Sequence, residues 1–144
     1  MENTLAAIVG GVVMVGSVVA LLIGQRDEKR KKLLRFQDRP EMSEEEFFSI
    51  YYKESGIAKE IVSEVLMEVS NAIAIPAAKI RPSDRFDYEL APVKGWEFGD
   101  GIVEIDWFVR REMKKAGVHK PAQLQTVDDL IRYVARLATQ EGPH

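Results

Sequence analysis

The chain opens on a long apolar run. From Leu5 to Ile23 there are 19 residues without a charge. A helix of that length rises 1.5 Å per residue and matches the ~30 Å hydrocarbon core of a bilayer. The pattern therefore predicts an N-terminal membrane anchor over residues 1–24. A cleaved signal peptide would need a basic stretch before the run and a small-residue cleavage site after it. Here Glu2 precedes and Gln25-Arg26-Asp27-Glu28-Lys29 follows, which favours an uncleaved signal anchor. Residues 25–40 are polar and basic, end in Pro40, and read as a helical extension or juxtamembrane linker.

From residue 41 onward the apolar positions repeat at helical spacing. Ser43 and Glu46 form a capping-box pattern that opens a short helix through Phe47, Phe48, Tyr51 and Tyr52, with Gly56 placed to end it. Next come Ile57, Ile61, Val62, Val65, Leu66, Val69 and Ile73, interleaved with Lys59, Glu60, Glu64 and Glu68, an amphipathic helix of about four turns. The segment from Ala74 to Gly99 is rich in Pro and Gly and predicts a long loop with at most a short helical turn. Another helix is expected from about Asp100 to Ala116, with Ile102, Ile105, Val109 and Met113 along one stripe, Trp107 and Phe108 widening it, and Gly117 as its stop. The last is capped by Thr126, has Asp128 and Asp129 in its first turn, and presents Val127, Leu130, Ile131, Val134 and Leu137 on one face. With little alternating pattern, the expected fold class is mainly α: a transmembrane helix followed by a small, irregular helical bundle over residues 41–144.

Charge sets the expected topology. Arg26, Lys29, Arg30, Lys31, Lys32, Arg35 and Arg39 follow the apolar run, and no Lys or Arg precedes it. The positive-inside rule then places a single-pass protein in the cell membrane with its C-terminal domain in the cytoplasm. The same basic cluster can rest on anionic headgroups, although a stop-transfer flank explains it sufficiently. Gly16, Ala20 and Gly24 leave a narrow stripe through which the membrane helix could form a homo-oligomer. Residues 41–144 hold 19 acids against 13 Lys or Arg, a net of −6, which argues against nucleic-acid binding. The chain has no cysteine and two histidines, His119 and His144, so thiolate metal sites and thiol nucleophiles are excluded and no metal site is expected.

From Ile61 to the end the sequence resembles the acyl carrier protein family. The first long helix and the following Ile73-Ala74-Ile75-Pro76-Ala77-Ala78-Lys79-Ile80 look like that family's first helix and loop. The run Arg81 to Leu90 is similar to its loop with a buried Phe and an acidic-Leu pair. Asp100-Gly101-Ile102-Val103-Glu104-Ile105 resembles the head of its second helix, and Thr126 to Val134 resembles its last. The resemblance implies an acyl-carrier-like bundle. It also marks two departures. Nine residues, Ala91 to Gly99, stand where the family usually has two, and Gly101 replaces the serine that receives the phosphopantetheine arm. Glycine offers no nucleophilic oxygen, so no cofactor is expected there. Ser83 is the nearest serine in that loop and matches a structural polar position of the family.

The function expected from these features is a membrane-anchored, carrier-like scaffolding module without an arm, bound to the membrane through Leu5 to Ile23 and to a cytoplasmic protein partner. In carriers the second helix meets partners, which points to Asp100, Glu104, Trp107, Arg110 and Arg111 as partner-binding residues. Their mixed charge does not specify the partner. Trp96, Phe98 and Trp107 are expected chiefly to seal the bundle, with an aromatic interface anchor as the other reading. The alternative function is an active acyl or aminoacyl carrier modified at a serine elsewhere than the family's position. An enzyme is not expected, because Asp84, Asp87, Asp128 and Asp129 are accounted for by turns and caps.

Overall fold

The computed structural model describes residues 30–91 and 101–140. It contains four helices of a turn or more beyond a leading helical stretch at residues 30–36: α1 (Glu44–Tyr51), α2 (Lys59–Ile73), α3 (Ile102–Lys115) and α4 (Val127–Gln140), with a 3-10 turn at Ala77–Lys79. The Ser43 hydroxyl accepts from the Glu46 N–H while the Glu46 carboxylate accepts from the Ser43 N–H, the reciprocal box that the sequence suggested. α2 ends where Ala74 turns left-handed (φ 56°), ahead of Pro76. Thr126 caps α4 by accepting from the Asp129 N–H, and the Asp129 carboxylate accepts in return from the Thr126 N–H.

α2 is the central element and packs on α1, α3, α4 and the 3-10 turn. Its Val62, Val65 and Val69 are fully buried and meet a core to which α4 contributes Val127, Leu130 and Ile131. Each such side chain contributes about 1.5–3 kcal/mol on burial. α2 and α3 run antiparallel: Gly101 at the head of α3 lies against Ala72 near the end of α2, and Arg111 further along reaches back to Glu64 and Glu68. Among the described residues, β pairing is confined to one isolated bridge between Arg85 and Thr126.

One expectation is corrected. The transmembrane helix is not part of the observed fold, because no helix among the described residues is long and apolar enough to cross a membrane. The longest, α2, has 15 residues, about 22 Å at helical rise, and three glutamates interrupt its apolar positions. The run Leu5 to Ile23 lies outside the described residues. The single-pass anchor is therefore withdrawn, together with the cytoplasmic topology, the cell-membrane location and the oligomer through Gly16, Ala20 and Gly24 that rested on it. The scaffolding function, stated as membrane-anchored, loses its premise by the same finding.

Residues 30–40, the described part of the expected helical extension or linker, pack against the rest of the bundle. Phe36 is 4% exposed in the core, and the Arg39 guanidinium donates to both oxygens of Asp84 at 2.9 and 2.6 Å, and to the Lys79 carbonyl at 2.8 Å. Lys79 in turn donates to the Arg39 carbonyl, and Arg81 to that of Pro40 at 2.5 Å. The 3-10 turn and its flanks thus provide the surface on which this segment docks.

These contacts predict a boundary effect. A fragment beginning at residue 30 should unfold in urea at a clearly higher midpoint than one beginning at Glu41, which lacks Phe36 and Arg39. Within the core, Leu66→Ala and Leu130→Ala should each cost about 2–5 kcal/mol. Losses below half a kilocalorie at both sites, or equal midpoints for the two fragments, would contradict this packing.

Candidate functional site

The head of α3 is the place where a carrier would hold its serine, and its geometry is closed. Gly101 is buried, sits at φ +76°, and forms the N-cap of α3 without any side-chain cap. A Cβ built there would stand 2.4 Å from the Ala72 carbonyl oxygen and 2.8 Å from its carbon. That partner is backbone, near the end of a helix packed on three others, and it cannot swing aside as a side-chain tip would. Both the left-handed backbone and the missing space demand glycine. A serine with its arm does not fit this position.

The outer face of α3 carries the other expected residues. Glu104, Trp107, Arg110 and Arg111 are all exposed, Trp107 at 72%, whereas Ile105, Phe108, Val109 and Met113 face the core. Trp107 therefore does not seal the bundle; the inward stripe passes through Phe108 instead. Asp100, Trp96 and Phe98 lie outside the described residues. Much of the charge on this face is matched locally. Arg110 pairs with Asp106 at 2.6 Å, one turn away, and Arg111 bonds Glu112 at 2.9 Å while reaching Glu68 at 3.5 Å. Glu112 is held mostly out of water. Burial pushes its carboxyl up, but hydrogen bonds from Lys115 and Arg111 outweigh that and set it below the ordinary range.

Ser83 lies elsewhere, on a turn fastened to the head of α4. The Pro82 carbonyl accepts from the Asp128 N–H at 2.9 Å and the Asp84 carbonyl from the Val127 N–H at 3.0 Å. The Asp84 carboxylate, 2% exposed, also accepts from the Arg81 N–H at 2.7 Å in addition to Arg39. The serine between these anchors is exposed. Next to it, Asp128 accepts from the Tyr52 hydroxyl at 2.7 Å and from Arg132 at 2.8 Å. Burial first, and then the Asp128 carboxylate, push the Tyr52 hydroxyl well above its usual range, so it remains a donor.

Comparison with family models, curated proteins and solved structures finds no match. The structure does not bring Gly101 and Ser83 into one site: the first is lodged against the end of α2, the second against the head of α4. The Arg39–Asp84 and Tyr52–Asp128 contacts join residues 45 and 76 apart in the chain and carry no local sequence signal. The nearest cue was an aspartate in a Pro-containing turn, which explained Asp84 locally but not the arginine that meets it.

The closed head of α3 gives a matched comparison. Gly101 and Gly117 both have positive φ, yet a Cβ at Gly117 meets nothing within 4 Å. Gly117→Ala should cost about 1 kcal/mol from backbone strain alone, and Gly101→Ala about 2–4 kcal/mol, because a steric clash is added to the strain. Equal losses in chemical denaturation would refute the packing of Gly101 on Ala72. A second measurement concerns Glu112. Its folded pKa is lowered, so its contribution is fully present above the unfolded value, near 4.3, and is lost as pH falls through the folded one. The urea midpoint should decline below about pH 4, less steeply in Glu112→Gln.

Proposed function

We propose that this chain is a carrier-type module holding an acyl or aminoacyl group on a phosphopantetheine arm attached at Ser83 rather than at the head of α3. The observation that carries the reading is Ser83 itself: an exposed hydroxyl, with no hydrogen-bond partner among the described residues, on a turn anchored by backbone bonds on both sides. Other serines are engaged. Ser43 caps α1, Ser55 bonds the Tyr52 carbonyl, Ser63 bonds Glu44 and Ser70 bonds the Ile75 carbonyl. Ser49 is exposed but lies inside α1, where regular helix surrounds the hydroxyl.

Attachment needs an accessible oxygen held in place and some compensation for phosphate charge. The Arg81 guanidinium, two residues away, bonds only to the carbonyls of Pro40, Ala78 and Ile80 among the described residues, so its charge is not cancelled by a carboxylate. Transfer from coenzyme A would form a bond from the Ser83 oxygen to phosphorus, break the pyrophosphate link, and release the adenosine bisphosphate with the hydroxyl proton. The arm, when bound, supplies a thiol for thioester formation. The order of helices and the capped last helix, on which the family resemblance rests, support the same reading. The outer face of α3, where Glu104, Trp107, Arg110 and Arg111 are exposed, is the surface proposed to meet the loading enzyme.

Intact-mass measurement decides the matter. The full chain incubated with coenzyme A and a broad-specificity phosphopantetheinyl transferase should gain one phosphopantetheine, Ser83→Ala should gain none, and Ser49→Ala should load like the parent. Trp107→Ala should slow loading while leaving stability within about 0.5 kcal/mol. An unmodified parent, or a Ser83→Ala chain that still loads, would end the proposal.

A further inference from the structure

A groove of about 600 Å³ runs between the start of α2 and one side of α4 from Asp129 to Thr139, with no lining residue in the Ser83 turn or at the head of α3. Its apolar wall is built from Ile57, Ile61 and Leu124, all half-buried, with small Ala58, Ala122 and Ala135 between them. Two cations, Arg132 and Arg136, stand one turn apart along α4 at its edge.

The charges there are unequally matched. Arg132 is paired with Asp128 at 2.8 Å. Asp129, which also lines the groove, is committed to the N–H groups of Gln125 and Thr126, both at 3.0 Å; burial pushes its carboxyl up, but those bonds outweigh this and hold it below the usual carboxylate range. Arg136 has its guanidinium 5.6 Å from the Tyr133 ring centroid and, among the described residues, no carboxylate partner. Arg132 with Asp128 and Arg136 with Asp129 leave no net charge, so an anion would be held by Arg136 itself, the cation of the groove that has no carboxylate partner among the described residues. A cation over an aromatic face remains free to take an anion in its plane.

We infer that this groove binds a single-chain amphiphile with an anionic head, a long-chain carboxylate, its alkyl chain lying on Ile57, Ile61 and Leu124 and its head group on Arg136. The size falls within the 300–1,000 Å³ range of small-molecule sites, and the lining has the usual form of an apolar wall with few polar groups. The site is independent of any arm at Ser83, since none of its lining residues belongs to that turn.

Calorimetric titration of the full chain with dodecanoate, kept below its micellar concentration, tests the inference. One equivalent should bind saturably, and dodecyltrimethylammonium, with the same chain and the opposite charge, should bind at least about tenfold more weakly. Arg136→Gln removes the charge at an exposed position and should weaken dodecanoate about tenfold. Ala58→Phe fills the groove at an exposed N-cap whose side chain caps nothing, and should abolish saturable binding. Equal affinity for the two head groups, parental affinity in either variant, or no saturable binding to the parent overturns the proposal. Should Ala58→Phe fail to fold, as judged by circular dichroism, Arg136→Gln decides alone.

Discussion

The buried carboxylate of Asp84 organises the part of this molecule that is not helix. It takes two bonds from Arg39 and one from the backbone of Arg81, while its own carbonyl takes the first N–H of α4. Three pieces of chain distant in sequence, residues 30–40, the 3-10 turn region and the head of α4, are thereby fixed to one residue. A carboxylate at 2% exposure is costly unless paired and hydrogen-bonded, and here both conditions are met. The partial exposure of Arg39, 26%, lessens the desolvation on the cationic side. Removing either partner alone would leave a charge in a place built for two.

A different constraint acts at the head of α3. There α2 and α3 approach until a backbone carbonyl of one occupies the space where a side chain of the other would begin. Such an approach requires a residue without Cβ, and the left-handed φ requires the same residue independently. The glycine that replaces the carrier serine is thus a packing element and not merely an absence of hydroxyl. Close helix contact and a nucleophile at this point exclude each other, which is why a carrier reading must look to another oxygen.

Much of the bundle was legible because its signals are local. The Ser43–Glu46 box, the apolar stripe of Val62, Val65, Leu66 and Val69, and the Thr126 cap each lie within one or two helical turns, where spacing maps directly onto geometry. Trp107 was misjudged for a physical reason. A helix offers only a limited arc to the core, and Phe108 with Ile105, Val109 and Met113 already fills it, leaving Trp107 on the solvent side. The role of residues 30–40 was missed because a run of Lys and Arg reads as solvated. Only the fold reveals that Arg39 faces a buried acid and that Phe36 completes the core. The expected membrane span rested on Leu5 to Ile23, which lies outside the described residues.

α4 relates the two proposed sites to each other. Its inward face is nearly continuous, with Val127, Leu130, Ile131, Val134 and Leu137 all buried, so the helix is held along its whole length against α2 and α3. Its head clamps the Ser83 turn through backbone bonds, and one side of it, from Asp129 through Arg132 and Ala135 to Thr139, forms a wall of the groove. Fourteen residues at helical rise separate the two ends by about 20 Å. Because the helix is packed throughout, the ends are rigidly related and neither can shift without disturbing the common core. A group attached at the head and a ligand bound along one side would thus share a single structural support, while each depends on its own polar residues: Asp84 and Arg81 at the head, Arg136 in the groove.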